Sequence, residues 1–364
     1  MPRPALRRRR LVCMLNSRTL VMSNASHEQP PIPKVTVCLP TYNRSGYLSQ
    51  CLASILTQTF RDFEVIVSDN CSPDDTAEIV GAFRDARIRY VRNPRNIGVF
   101  PNMNQCLELA RGQYVCIVHD DDLYESRFLE REVEMLDRHP MAAFVHCATW
   151  EIDKDGRRVR LVQAYSGDCL LEGKAEFICY LGGHNVCCST VMVRGDLYRK
   201  MGGFDTSLMC SDWLMWLRLC LEGDVAYLAE PLASLRIHKS ALSSGIDPAR
   251  WCQEFLTVIR RGLSVAEAAS PSLTTRRSEL IQGASQTQGK RFFIAAVAAL
   301  CEGDDKAVNG FVAVLRELER YGLSRAYARW ISAFRNPVGR WGLSWVRRLR
   351  RLWAGQVLAG KGGS

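Results

Sequence analysis

A chain of 364 residues with 47% hydrophobic content can bury a large core and is too long for one small domain. Its formal charge of +10 sits at the ends: residues 1–33 carry +5 and residues 320–364 carry +10, which leaves 34–319 at −5. Nucleic-acid binders put positive charge on the folded body, so no nucleic-acid partner is expected. Fifteen cysteines without a CxxC pair argue for free thiols in a reducing compartment rather than a disulfide framework. No run of about 18 apolar residues exists, so no membrane-spanning helix is expected.

In chain order, residues 1–33 end in QPPIP and read as a disordered basic tail. The arginine run there precedes a poor apolar region and no small-residue cleavage site, so a secretory signal is not expected. Met22 offers a second start, which leaves open whether 1–21 belong to the mature chain. From residue 34 short apolar runs alternate with helical patterns: strands over 35–39, 64–68, 88–91 and 114–118, helices over 47–58, 73–84 and 102–111. Ser72 is the expected cap of the second helix and Pro73 its first residue. The alternation predicts a mostly parallel sheet with helices on both faces.

Ligands of such sheets bind at the carboxyl ends of the strands. Pro40, Thr41, Tyr42 and Asn43 follow the first strand, Asp69 and Asn70 the second, and His119, Asp120, Asp121 and Asp122 the fourth. Three adjacent aspartates repel one another unless something positive sits beside them. A divalent cation, Mn²⁺ or Mg²⁺, bridging to a diphosphate is one reading. A solvated N-terminus of a helix over 126–138 is the other.

Beyond residue 125 the alternation loosens, with strands at 143–148, 190–193 and 225–229 and a tryptophan-rich helix over 211–221. From 247 the chain reads as helical. The segment 340–356 puts Trp341, Trp345, Leu349 and Leu352 on one face and Arg340, Arg347, Arg348, Arg350 and Arg351 on the other. That layout suits an anionic membrane surface.

Residues 34–245 resemble the catalytic domain of the family-two glycosyltransferases. The motifs that carry the resemblance are VTVCLPTYNRSGYLSQCLASILTQTFRDFEVIVSDNCSPDDT, NIGV at 96–99, VHDDD at 118–122, GGFD at 202–205, SDWLMWLRL at 211–219 and RIHKSALS at 236–243. The resemblance implies an α/β fold of the GT-A type, Rossmann-like, with a C-terminal helical region over 246–364. It divides the catalytic domain into a nucleotide-binding half (34–124) and an acceptor half (125–245).

By the same resemblance Pro40 and Tyr42 line the base pocket, Asp69 accepts a hydrogen bond from a uracil ring, and Asn96 and Arg95 lie near the donor. Asp121 is the principal metal ligand; Asp120 and Asp122 contact the ribose or the metal-bound water. Where many members open this motif with aspartate, His119 stands here. His238 reaches the metal or the diphosphate, and Arg236 and Lys239 help to hold phosphate. His184 lies near the acceptor, and Asp212 is the catalytic base.

From the residues alone, Asp69 also suits a turn cap before Ser72, Asn96 an ordinary turn, and Asp212 a helix N-terminal acid. The expected activity is inverting transfer from a nucleotide diphosphate-sugar, a UDP-sugar first, to a hydroxyl of a glycan or lipid-linked saccharide. Surface polysaccharide synthesis on the inner face of the cell membrane is the expected setting. The alternatives are a metal-dependent nucleotidyltransferase, which wants more glycine after the first strand than PTYNRSGY has, and a non-catalytic membrane-associated binding protein.

Overall fold

The computed structural model describes residues 32–333 except 185, 239–246, 270–272 and 274. The basic tail and the 340–356 segment therefore lie outside the described residues. The first part of the chain is the expected alternation: β1 (Val35–Thr41), α1 (Ser45–Leu56), β2 (Phe63–Asp69), α2 (Thr76–Ala82), β3 (Ile88–Arg92), α3 (Val99–Leu109) and β4 (Tyr114–Ile117). Next come β5 (Leu123–Tyr124), α4 (Phe128–Arg138), β6 (Ala142–Ile152), β7 (Arg158–Val162), β8 (Cys169–Leu171) and α5 (Gly173–Leu181). A 3₁₀ turn at Cys188–Thr190 leads into β9 (Val191–Arg194), α6 (Gly195–Met201), α7 (Ser211–Leu219) and β10 (Asp224–Arg236). The helices α8 (Pro248–Ala269), α9 (Arg277–Glu302), α10 (Asp305–Glu319) and α11 (Ala326–Ala333) follow.

The strands form one sheet in the order β3-β2-β1-β4-β9-β6-β10-β5, with β7 against β6 and β8 against β10. β1, β2, β3, β4, β6 and β10 run the same way, and β9 is inserted antiparallel between β4 and β6. The parallel strands are apolar almost throughout because both faces are covered. On one face Val35, Val37 and Leu39 meet Leu48, Leu52 and Ile55 of α1 and Phe128, Leu129 and Val133 of α4. On the other, Cys38, Ile66 and Ile117 join Met103 of α3 and Trp216 of α7, and this core continues into Phe255, Phe292 and Leu315 of the later helices. We propose the division at 245/246 as a change of architecture, from sheet to helices, within that continuous core.

Two elements differ instructively from expectation. α2 starts at Thr76, not at Pro73, because the residues read as its cap are used elsewhere. Ser72 Oγ accepts the Asn43 amide at 3.0 Å and Asp74 Oδ2 the Ser45 amide at 2.9 Å, so this stretch ties down the loop after β1. β10 extends to Arg236, far past the expected 229, through register shifts around Pro231. Those irregularities absorb the proline, which cannot donate to a ladder, and carry the strand on to the acidic cluster.

Glu132 of α4 is wholly buried, and neither carboxyl oxygen has a hydrogen-bond partner among the described residues. Burial alone pushes its pKa well above the ordinary 4.5. The folded chain thus keeps a proton that the unfolded chain releases above about pH 4.5, so stability should fall with rising pH by about 1.4 kcal/mol per unit until the raised pKa is passed. Glu132→Gln should remove that slope. Urea unfolding of both proteins at pH 5, 6 and 7 checks it, and a difference that does not grow with pH would show the carboxyl to be ionised.

Candidate active site

β1 and β2 are in register up to Thr41 beside Asp69, and β1 and β4 up to Cys38 beside Ile117. The residues that leave β1, β2 and β4 at their carboxyl ends therefore share one sheet edge. Asp120, Asp121 and Asp122 turn there, and each finds different partners.

Asp120 is buried and accepts the Thr41 hydroxyl at 2.7 Å. Burial raises its pKa to about 6, against the pull of that hydroxyl. Asp122 is buried too; it accepts the Ser189 hydroxyl at 2.8 Å and the Arg236 amide at 2.9 Å. Its pKa is also pushed up to about 6, first by burial and then by the Asp121 charge. Asp121 stands between them and behaves oppositely. Burial works upward on it, but the bond with His238 and the charges of His119 and Arg44 outweigh that and hold its carboxyl below the usual range.

Asp121 is ion-paired with Arg44, and His238 Nε2 lies 2.8 Å from Asp121 Oδ2 and 2.9 Å from Arg44 Nη1. The positive partner that three adjacent carboxylates demand is therefore supplied partly by the chain itself. Arg44 escaped the sequence reading, although it is the cation that follows the first strand's PTYN. Ser189 escaped it as well, and Thr41 was placed at the strand end without its bond to Asp120, since a hydroxyl leaves no pattern in sequence.

Among the described residues His119, Asp121 and Asp122 each offer a ligand atom within 4.8 Å of one another. Two carboxylates and an imidazole at that spacing fit a divalent cation of the Mn²⁺ type. His238, expected as a ligand beside Asp121 and Asp122, lies 2.8 Å from Asp121 Oδ2 and is not one of these three. Arg236, read as a phosphate contact, is instead a structural clamp: its guanidinium donates to the carbonyls of Asp121, Asp153 and Lys154 at 2.9, 3.2 and 3.0 Å and lies over the Tyr47 ring.

The expected donor contacts form two groups. Pro40 is half-buried at the end of β1, and Tyr42 is 43% exposed, open to a ligand. Asp69 is fully buried, with Oδ1 accepting the Ser72 amide at 2.8 Å and Oδ2 the Tyr90 hydroxyl at 2.6 Å. Its geometry is that of a turn cap, so a base contact would have to share an occupied oxygen. Burial, and then the Asp69 carboxylate, push the Tyr90 phenol up to about 12. Asn96 Oδ1 accepts from Asn70 Nδ2 and from the Gly98 amide, both at 2.9 Å, and so shapes the turn before α3.

Asp212 is the second residue of α7 and is half-buried. The turn before β9 carries contacts to the acidic cluster. Ser189 bonds Asp122, Cys187 Sγ lies 3.3 Å from Ser189 Oγ, and the Cys187 thiol is pushed up to about 12 by burial, then by the charges of Asp122 and Asp212. His184 is half-buried, and its ring meets Trp213 edge-on at 5.4 Å. Trp213 and Trp216 are both buried and pack into the core, so neither offers a face to a sugar.

A family model described as glycosyl transferase family 2 matches residues 36–202. EpsE of Bacillus subtilis (strain 168), whose assignment as a glycosyltransferase is provisional, is 30% identical over 211 residues, 56% of this chain and 73% of its own. A Campylobacter jejuni protein named GalNAc(5)-diNAcBac-PP-undecaprenol beta-1,3-glucosyltransferase is 34% identical over 139 residues, 37% of this chain and 43% of that one. The crystal structure of S. aureus TarS 1–349 in complex with UDP-GlcNAc superposes with a TM-score of 0.61 at 19% identity, over 87% of this chain and 92% of that one. The likeness is one of fold: an α/β GT-A architecture with a helical region after the sheet.

Proposed function

This chain belongs to glycosyl transferase family 2, and from that premise we propose that it moves a sugar from a nucleotide diphosphate-sugar, a UDP-sugar first, to a hydroxyl of a glycan or lipid-linked saccharide. The observation that carries the reading is the carboxylate cluster at the ends of β1 and β4, in which Asp121 is paired with Arg44 and His238 and Asp122 holds Ser189 beside Cys187; Asp212 as its base is our reading. The TarS complex with UDP-GlcNAc supports a UDP-sugar donor, and the Campylobacter relative's name supports a lipid-linked acceptor.

In this mechanism Asp212 takes the proton of the acceptor hydroxyl while that oxygen bonds to the anomeric carbon and the carbon–diphosphate bond breaks on the opposite face, which inverts the configuration. Tyr42 and Pro40 border the nucleotide, and Asp120, fixed by Thr41, meets the ribose. A divalent cation held by Asp121 and Asp122, with His119 or His238 beside them, would neutralise charge on the departing diphosphate. Arg44 and His238 keep Asp121 ionised and oriented for that task.

No helix among the described residues is long and apolar enough to cross a membrane, and none of the described cysteines is in a disulfide. Free thiols support our placing the reaction in a reducing compartment, on the cytoplasmic side of the membrane.

A panel of nucleotide-sugars with purified protein and manganese tests the reaction class. Nucleoside diphosphate release that rises with a glycan acceptor supports sugar transfer, whereas pyrophosphate release would indicate nucleotidyl transfer instead. The raised pKa values add a pH signature. Burial raises Asp122 to about 6, so it must shed a proton below that point to bind a cation, and Mn²⁺ affinity should fall about tenfold per pH unit below it. Calorimetric titration between pH 5 and 8 measures this; a flat profile would place the cation elsewhere.

A further inference from the structure

α9 brings two polar side chains against the turn that follows α5. Gln288 is buried, and its amide donates to the Gly182 carbonyl at 2.9 Å. Gly183 has φ of +118°, and a Cβ there would lie 2.5 Å from both Arg291 Nη1 and Gln288 Nε2. Glycine thus permits both the backbone turn and the close approach of the guanidinium. The next residue, His184, packs edge-on against Trp213, beside Asp212 in the first turn of α7. Arg291, the 182–184 turn and the start of α7 therefore form one wall.

The charges agree with that geometry. Burial holds the His184 imidazole below its ordinary range, the Asp212 carboxylate pulls it up, and Arg291 pushes it down, so both charges act on one ring. Arg291 is exposed and makes no hydrogen bond or ion pair among the described residues. A guanidinium held close to the 182–184 turn, with no hydrogen bond or ion pair among the described residues, suits a planar or tetrahedral oxyanion.

We propose that Arg291 binds an anionic group of the acceptor, a phosphate or a carboxylate, and so delivers the acceptor hydroxyl to Asp212. The proposal rests on the glycosyl-transfer reading and narrows its acceptor to a negatively charged one. It also gives the helical region a part in the reaction: α9 supplies an acceptor contact that the sheet lacks. The donor's diphosphate is the other conceivable anion, but it belongs beside Asp120, Asp121 and Asp122, at the other end of the link through Ser189 and Cys187.

The test is a calorimetric titration of the full chain with glucose 6-phosphate, glucuronate and glucose, run with and without saturating UDP and Mn²⁺. The UDP-loaded protein should prefer one of the anions to glucose by about tenfold or more, as charge-assisted bonds to Arg allow. Arg291→Gln should lose the preference while taking up UDP normally, and Arg291→Lys should keep part of it. With the natural acceptor, Arg291→Gln should raise KM more than it lowers kcat. An undiminished preference in Arg291→Gln, no preference in the unaltered protein, or anion binding that vanishes once UDP is loaded would each overturn the proposal. Failure of the unaltered protein to take up UDP sinks the donor reading instead, and the titration without UDP still judges Arg291 by itself.

Discussion

Asp212→Asn is expected to lose about 10²- to 10⁴-fold in transfer rate, the range that a positioned general base contributes, while UDP binding stays where it was. The substitution keeps the shape of the side chain and removes only its capacity to take a proton. Asp212 lies in the first turn of α7, where a negative charge also favours the helix. That structural contribution is typically only about 0.3–1 kcal/mol. A base and a helix-terminal acid therefore make separable predictions. Rate collapse with a nearly unchanged unfolding midpoint marks the base; a lowered midpoint with proportional loss of UDP binding and rate marks the structural acid. Stopped-time product assays and thermal unfolding on the same preparation decide between them.

Asp121→Asn is expected to remove metal-dependent UDP binding, with Mn²⁺ affinity falling by more than the roughly 10- to 100-fold that loss of a supporting partner costs. The reason lies in the different state of the three carboxylates. Burial holds Asp120 and Asp122 up at about 6, whereas Asp121 is held low by His238, His119 and Arg44. It is the carboxylate that stays reliably charged, and its Oδ2 is the oxygen that Arg44 and His238 converge on. His238→Gln removes one supporting partner and leaves the carboxylate, so its loss should stay within that smaller range. Titrations of Mn²⁺ and of UDP into the three proteins check the order; equal affinities in Asp121→Asn and the unaltered protein would remove Asp121 from the ligand set.

The sheet and the site's location were legible because both follow from local rules. Apolar runs at strand length reveal β1, β2 and β4, and the polar residues just past them have nowhere to go but the sheet edge. What stayed hidden depends on partners distant in sequence. Nothing near Asp121 foretells Arg44, 77 residues earlier, and His238, 117 later, was reached only through the family resemblance. Ser72 and Asp74 look like part of a helix start and instead brace the loop after β1, because tertiary bonds to the Asn43 and Ser45 amides outweigh a local preference. β7 has an exposed face and pairs at the margin of the sheet, so its residues carry no burial pattern to read. Arg236 was identified as a residue that matters, but what it binds is decided by carbonyls, which sequence does not display, whereas the turn cap at Asp69 was one of its two readings.

The most direct test of the account is a crystal of the full chain grown with UDP and Mn²⁺, with the manganese located by its anomalous scattering. The account predicts a peak at coordination distance from Asp121 and Asp122, bridging to the UDP phosphates on the side of the sheet edge where Asp212 lies. A peak remote from Asp121, or UDP bound away from the ends of β1 and β4, would contradict it.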